Sequence, residues 1–113
     1  MKEIRYIILI KSSGKVEMCP LSGISPRVDV LWALVGGGIE TVPAKHGTLV
    51  VNRDHKLDAL PFNDTATSML RSDVRDLIRG DAVLCATEGE RLVGFHADRA
   101  QRIIDGLYEG DMQ

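Results

Sequence analysis

Apolar residues follow two rhythms along this chain. Residues 4–10 are rich in β-branched residues and, from Tyr6 to Ile10, unbroken in apolar character, which predicts a strand over 4–10 buried on both faces near the middle of a sheet. Ser12, Ser13, Gly14 and Lys15 turn the chain. Val16 and Met18 then alternate with Lys15 and Glu17, which predicts a returning strand over 15–19 with one wet face. Pro20 ends it, because proline has no N–H to give a ladder. Ser25-Pro26 predicts a helix start, with serine as N-cap and proline at the first helical position. Val28, Leu31, Trp32 and Val35 follow at i, i+3, i+4, i+7, an amphipathic spacing, and Gly36 closes the helix as a left-handed cap. Residues 39–42 and 48–52 predict a hairpin across a loop containing Pro43 and Gly47, with a polar turn at 52–56.

Asn63 or Asp64 caps the next helix. Its apolar positions Ala66, Met69, Leu70, Val74, Leu77 and Ile78 run on to Arg79, and Ser72-Asp73 is an equally good break and new cap. Residues 82–86 read as a second buried strand, Glu88-Gly89-Glu90 as a tight turn, and 91–95 as its return. Ala100, Ile103, Ile104 and Leu107 place a last helix over 97–108, which Gly106 weakens by roughly 1 kcal/mol relative to alanine. The order is ββαββα(α)ββα. It predicts one α+β domain over residues 1–113, with a mixed, mostly antiparallel sheet carrying two to four helices. Tyr6, Ile8, Ile10, Trp32, Val50 and Val83 are its expected core.

A chain of 113 residues is long enough to bury a core without staples. Apolar residues make up 44% and charged residues 27%, which excludes a collagen, a disordered chain and a disulfide scaffold. The apolar run near the start is too short for a signal peptide or a membrane span, so a cytoplasmic protein without membrane contact is expected. Cys19 and Cys85 sit in apolar segments with no C-x-x-C spacing, which reads as buried free thiols. The net charge is −2, unevenly spread. Residues 1–56 hold eight basic and five acidic side chains, whereas 57–113 hold six and eleven. The missing basic excess argues against direct nucleic-acid binding, and the acidic second half suits a basic partner surface.

Candidate chemistry is sparse. Gly36-Gly37-Gly38 follows a helix and precedes a strand, so the negative end of the helix faces it and a phosphate cradle is not expected. His46, His55 and His96 show no ligand spacing and read as surface or turn residues. No G-x-S-x-G elbow occurs, and no catalytic residue, metal or cofactor is expected. The densest stretch is Leu60-Pro61-Phe62-Asn63-Asp64-Thr65-Ala66-Thr67. Phe62 fits a hydrophobic staple, and Asn63, Asp64, Thr65 and Thr67 set polar groups around a helix start. Such a group serves first as a cap and second as a contact for an anion or a partner backbone.

Val35-Gly36-Gly37-Gly38-Ile39-Glu40, Thr48-Leu49-Val50-Val51-Asn52, Leu60-Pro61-Phe62-Asn63 with Ala66-Thr67, and Gly80-Asp81-Ala82-Val83-Leu84 occur in that order behind the opening hairpin. Over roughly residues 4–88 the chain resembles a family of small proteins from phages and bacterial mobile elements, a domain of unknown function. The resemblance implies a setting among antirestriction-type genes, and hence an inhibitor of host defence, of anti-CRISPR or antirestriction type, that works by binding a host protein. The expected target is a nucleic-acid-handling defence enzyme. Two other readings stand beside it: a protein that sequesters a small molecule or nucleotide signal between the sheet and the 61–67 cap, and a small enzyme of unknown reaction. In the first reading Glu88 and Glu90, with Asp73, Asp76 and Asp81, would face the basic groove of the target. Against it, Arg71, Arg75 and Arg79 would neutralise those carboxylates along one helix face.

Overall fold

The computed structural model describes residues 3–108. Its elements are β1 (Tyr6–Ile10), β2 (Val16–Pro20), α1 (Val28–Val35), β3 (Ile39–Ala44), β4 (Gly47–Asn52), α2 (Asp64–Ser68), β5 (Ala82–Glu88), β6 (Arg91–Val93) and α3 (Ala97–Tyr108). The strands form one sheet in the order β2-β1-β5-β4-β3, with β6 also paired to β5. Every strand pairing among the described residues is antiparallel, and the α+β class is the one expected. The first half of β5 lies between β1 (Ile8 opposite Leu84) and β4 (Leu49 opposite Leu84). Its second half pairs with β6 (Ala86 opposite Val93), and Phe95 then bridges to Tyr6 at the start of β1.

Strand alternation sends one set of side chains to each face. Ile8, Ile10, Leu49, Val51, Ala82 and Leu84 pack with Ala66, Ile78 and the Ala100, Ile103 and Ile104 stripe of α3. Ile7, Leu9, Val50, Val83 and Cys85 pack on the other face with Leu31 and Val35 of α1. Covering both faces explains why β1 and β5 read as continuous apolar runs. Ile8, Ile10, Val50 and Val83 are fully buried as expected, while Tyr6 is only half-buried at the sheet margin.

Several boundaries differ from the expectations. Helix α1 starts at Val28, not after Ser25. Arg27 occupies the N-cap without a side-chain cap bond, and the Ser25 hydroxyl instead accepts a hydrogen bond from Arg91 Nη2 at 3.1 Å. Gly36 is the left-handed cap, at φ +83°, and its N–H reaches Trp32 O. The β3–β4 ladder continues through Pro43 and Ala44, leaving Lys45 and His46 as a two-residue turn. Proline is tolerated there because β3 is an edge strand.

The largest departure follows α2. The helical spacing suggested a helix up to Arg79, but the helix stops after Ser68. Thr67 Oγ1 donates to Asn63 O and accepts the Ile78 N–H, pulling the returning chain against the helix start. The Lys45 N–H bonds Met69 O and the Arg71 N–H bonds Pro43 O, which ties the loop to the β3 edge. The helical apolar pattern is thus satisfied by a loop that buries Met69, Leu70 and Ile78 while Leu77 is exposed. Arg71, Arg75 and Arg79 consequently share no helix face.

Candidate functional site

The polar residues expected around 63–67 form a closed structural joint. Asn63 is fully buried, and its Nδ2 donates to Ile10 O at 2.9 Å and to Gly80 O at 2.8 Å. Its Oδ1 accepts the Ala66 N–H at 3.0 Å, so Asn63, not Asp64, is the N-cap. Every polar atom of that side chain is engaged, as is the Thr67 hydroxyl. Asp64 is exposed and Thr65 half-buried at the same helix start. Phe62 is 42% exposed beside Arg79, so it does not act as the expected staple.

One of the three histidines expected at the surface or in turns is buried. His55 lies in the expected turn but is only 3% exposed. Its Nδ1 accepts the Arg79 N–H at 3.0 Å, a role open only to a ring nitrogen without a proton. Burial follows from that bond, because it fixes the 53–59 turns against the chain entering β5. His46 is exposed in the β3–β4 turn, and His96 Nδ1 lies 2.7 Å from Glu3 Oε2. Both cysteines are free thiols. Cys85 is buried as expected, whereas Cys19, on the edge strand β2, is only partly so. No group of three or more His, Cys, Asp or Glu side chains among the described residues is placed to hold a metal ion.

The acidic run does not form one cluster. Asp73 takes a bidentate hydrogen bond from Arg71, at 2.7 and 3.0 Å, and this bond holds its carboxyl below the usual range. Partial burial pushes Asp76 up, but the Lys56 ammonium at 2.7 Å and the Leu77 N–H outweigh it, leaving Asp76 lowered. Asp81 accepts the Ser12 N–H at 2.9 Å, closing the first hairpin against β5. Glu88 and Glu90 remain exposed at the tip of the β5–β6 hairpin, around Gly89 at φ +62°.

That hairpin adjoins a surface that includes Trp32, which was expected in the core. Trp32 is 51% exposed, and Ile24, Val28 and Val30 are 51%, 57% and 40% exposed. The Gly94 N–H bonds Ile24 O, and Arg91 reaches Ser25, so the β5–β6 hairpin is fastened to the segment leading into α1. Helix α1 reads VDVLWALV, apolar at every position except Asp29. Such a helix offers several possible inner stripes. The sheet takes Leu31 and Val35, with Leu34 packed beside them, which turns Val28 and Trp32 outward. The signal was present in the sequence as an excess: a surface helix needs a polar face, and this one has a single charge.

Comparison with curated proteins and with solved structures gives no significant match. A family model described as a domain of unknown function, DUF3846, matches residues 4–108. The match extends past Arg91, where the motif resemblance had faded, and takes in β6 and α3. With nearly the whole chain covered, the protein belongs to the DUF3846 family.

Proposed function

We propose that this protein works by binding another protein, and that its partner is a nucleic-acid-handling enzyme of a bacterial defence system, which it inhibits. The observation that carries the binding reading is the uncovered outer side of α1. Trp32, Val28, Val30 and Ile24 put large apolar groups into solvent on a helix that has almost no polar face. Val28 and Trp32 lie one turn apart on the same side of the helix; exposed apolar surface of this kind marks interaction sites, and tryptophan is enriched where binding energy concentrates. The adjacent hairpin tip adds Glu88 and Glu90. An apolar groove rimmed by basic side chains suits this surface better than a second copy of a chain with net charge −2. The choice of a defence enzyme rests on the motif resemblance to phage and mobile-element proteins.

The test is infection. The chain is expressed in bacteria carrying one restriction or CRISPR system, and the plating of a phage targeted by that system is measured. The wild-type chain raises plating by roughly tenfold or more in at least one system. Trp32→Glu, with an unchanged melting temperature, abolishes the effect; Glu88→Lys with Glu90→Lys weakens it, and weakens pull-down of the target most at low salt. No effect in any system, or full effect from Trp32→Glu, overturns the reading.

A further inference from the structure

The loop between α2 and β5, together with Lys45 and Lys56, lines an open surface cavity of about 720 Å³. Five cations line it, Lys45, Lys56, Arg71, Arg75 and Arg79, against one carboxylate, Asp76. That concentration occurs in a chain whose net charge is negative. Lys56 and Arg71 are occupied by Asp76 and Asp73. Among the described residues Lys45, Arg75 and Arg79 make no ion pair, and Arg79 reaches only Leu60 O, at 3.4 Å. Leu70, Val74 and Leu77 supply an apolar wall to the same cavity, and Leu77 is 56% exposed there. In a continuous helix to Arg79, one of the two paths the spacing allows, Arg71, Arg75 and Arg79 would run in a straight exposed stripe. The chain instead stops α2 at Ser68 and ties the loop back through Thr67 and Pro43, which wraps the arginines around a concavity.

We propose that this cavity binds a nucleotide-class ligand, a phosphorylated small molecule with a flat heterocycle. Its volume lies in the range of small-molecule sites, roughly 300–1,000 Å³. Guanidinium and ammonium groups at Arg75, Arg79 and Lys45 hold the phosphates, arginine in bidentate fashion. The heterocycle lies against the Leu70, Val74 and Leu77 wall. A simple oxyanion leaves that wall unused. A nucleic-acid strand is bound through aromatic stacking platforms, and no aromatic side chain lines the cavity. The site lies away from the outer side of α1 and stands independently of the partner-binding reading.

Isothermal titration calorimetry with ATP, inorganic pyrophosphate, adenosine and an oligothymidine strand tests it. ATP binds more tightly than pyrophosphate or adenosine, because only ATP engages both the cations and the wall. Lys45→Glu with Arg75→Glu weakens ATP by roughly tenfold or more while the melting temperature of the unliganded protein stays unchanged. Arg75→Ala alone, which leaves Lys45 and its turn intact, weakens it in the same direction. Absence of ATP binding at millimolar concentration, or ATP affinity unaltered in these variants, overturns the proposal. Oligothymidine binding tighter than ATP also overturns it, and makes the cavity part of a nucleic-acid groove.

Discussion

At Asn63 one side chain ties three segments together: β1 through Ile10 O, the entry to β5 through Gly80 O, and the first turn of α2 through the Ala66 N–H. Truncation would leave two carbonyls and one N–H buried without partners. Asn63→Ala is therefore expected to cost about 2–4 kcal/mol, read as a lower urea midpoint with an unchanged slope. A loss under about 0.5 kcal/mol would show that the joint is not closed as described. The sequence pointed to this residue as a cap but not as a joint, since its contacts with Ile10 and Gly80 are separated by 53 and 17 positions. Cys85 makes a second residue-level prediction. Burial alone pushes its thiol from 9.0 to about 12. The folded state thus favours the neutral thiol, and this contribution is complete below the unfolded value. It is lost as pH rises from about 9 towards 12, by at most about 4 kcal/mol. Stability measured from about pH 9 upward should fall in the wild type and fall less steeply in Cys85→Ala. Equal slopes would contradict a desolvated thiol at this position.

At the scale of elements, legibility depended on how local the determining contacts were. Helix α3 occupies the span its spacing predicted, because one apolar stripe facing one sheet leaves no alternative. The β3–β4 hairpin was recognisable, but its turn was drawn too wide. Pro43 reads as a breaker until the sheet order reveals that β3 is an edge strand. Gly47 owes its place to packing as well as to backbone: φ is +148°, and an added Cβ would run into the Cys85 carbonyl of β5. Gly47→Ala should therefore destabilise by about 2–4 kcal/mol and loosen the β4–β5 pairing, seen as faster amide exchange at Thr48 and Cys85. Undisturbed exchange at these two amides would rule out the close approach. The path of the segment after α2 is not legible locally, because its apolar spacing is compatible with one helix, with two, or with the loop it forms. What ends the helix is the Thr67 hydroxyl meeting Ile78 and the loop joining the β3 edge, neither visible in a short window.

At the scale of the molecule, the uneven charge along the sequence does not survive folding as one acidic face. Asp73, Asp76 and Asp81 are engaged by Arg71, Lys56 and the Ser12 N–H, and Glu88 and Glu90 alone of that run stay uncommitted at a hairpin tip. Net charge likewise concealed the five cations gathered around one cavity. Composition reports sums, while binding depends on where the charges sit. The sheet and the class of fold were legible because burial on both faces writes itself into β1 and β5 as unbroken apolar runs. The proposed binding face was not, because α1 is apolar nearly all round and only the sheet decides which stripe turns inward.

Trp32 is the single tryptophan of the chain, so its fluorescence reports on the outer side of α1 without any label. The most direct test of the partner-binding account is collisional quenching of Trp32 by acrylamide. It is measured over a range of protein concentrations and again with the defence enzyme identified by infection. The account predicts an open indole in the isolated chain at every concentration and a shielded one in the complex. An indole already shielded in the isolated chain, increasingly so with concentration, would mean that a second copy covers α1. An indole left open in the complex would mean that the partner binds elsewhere, and either result contradicts the account.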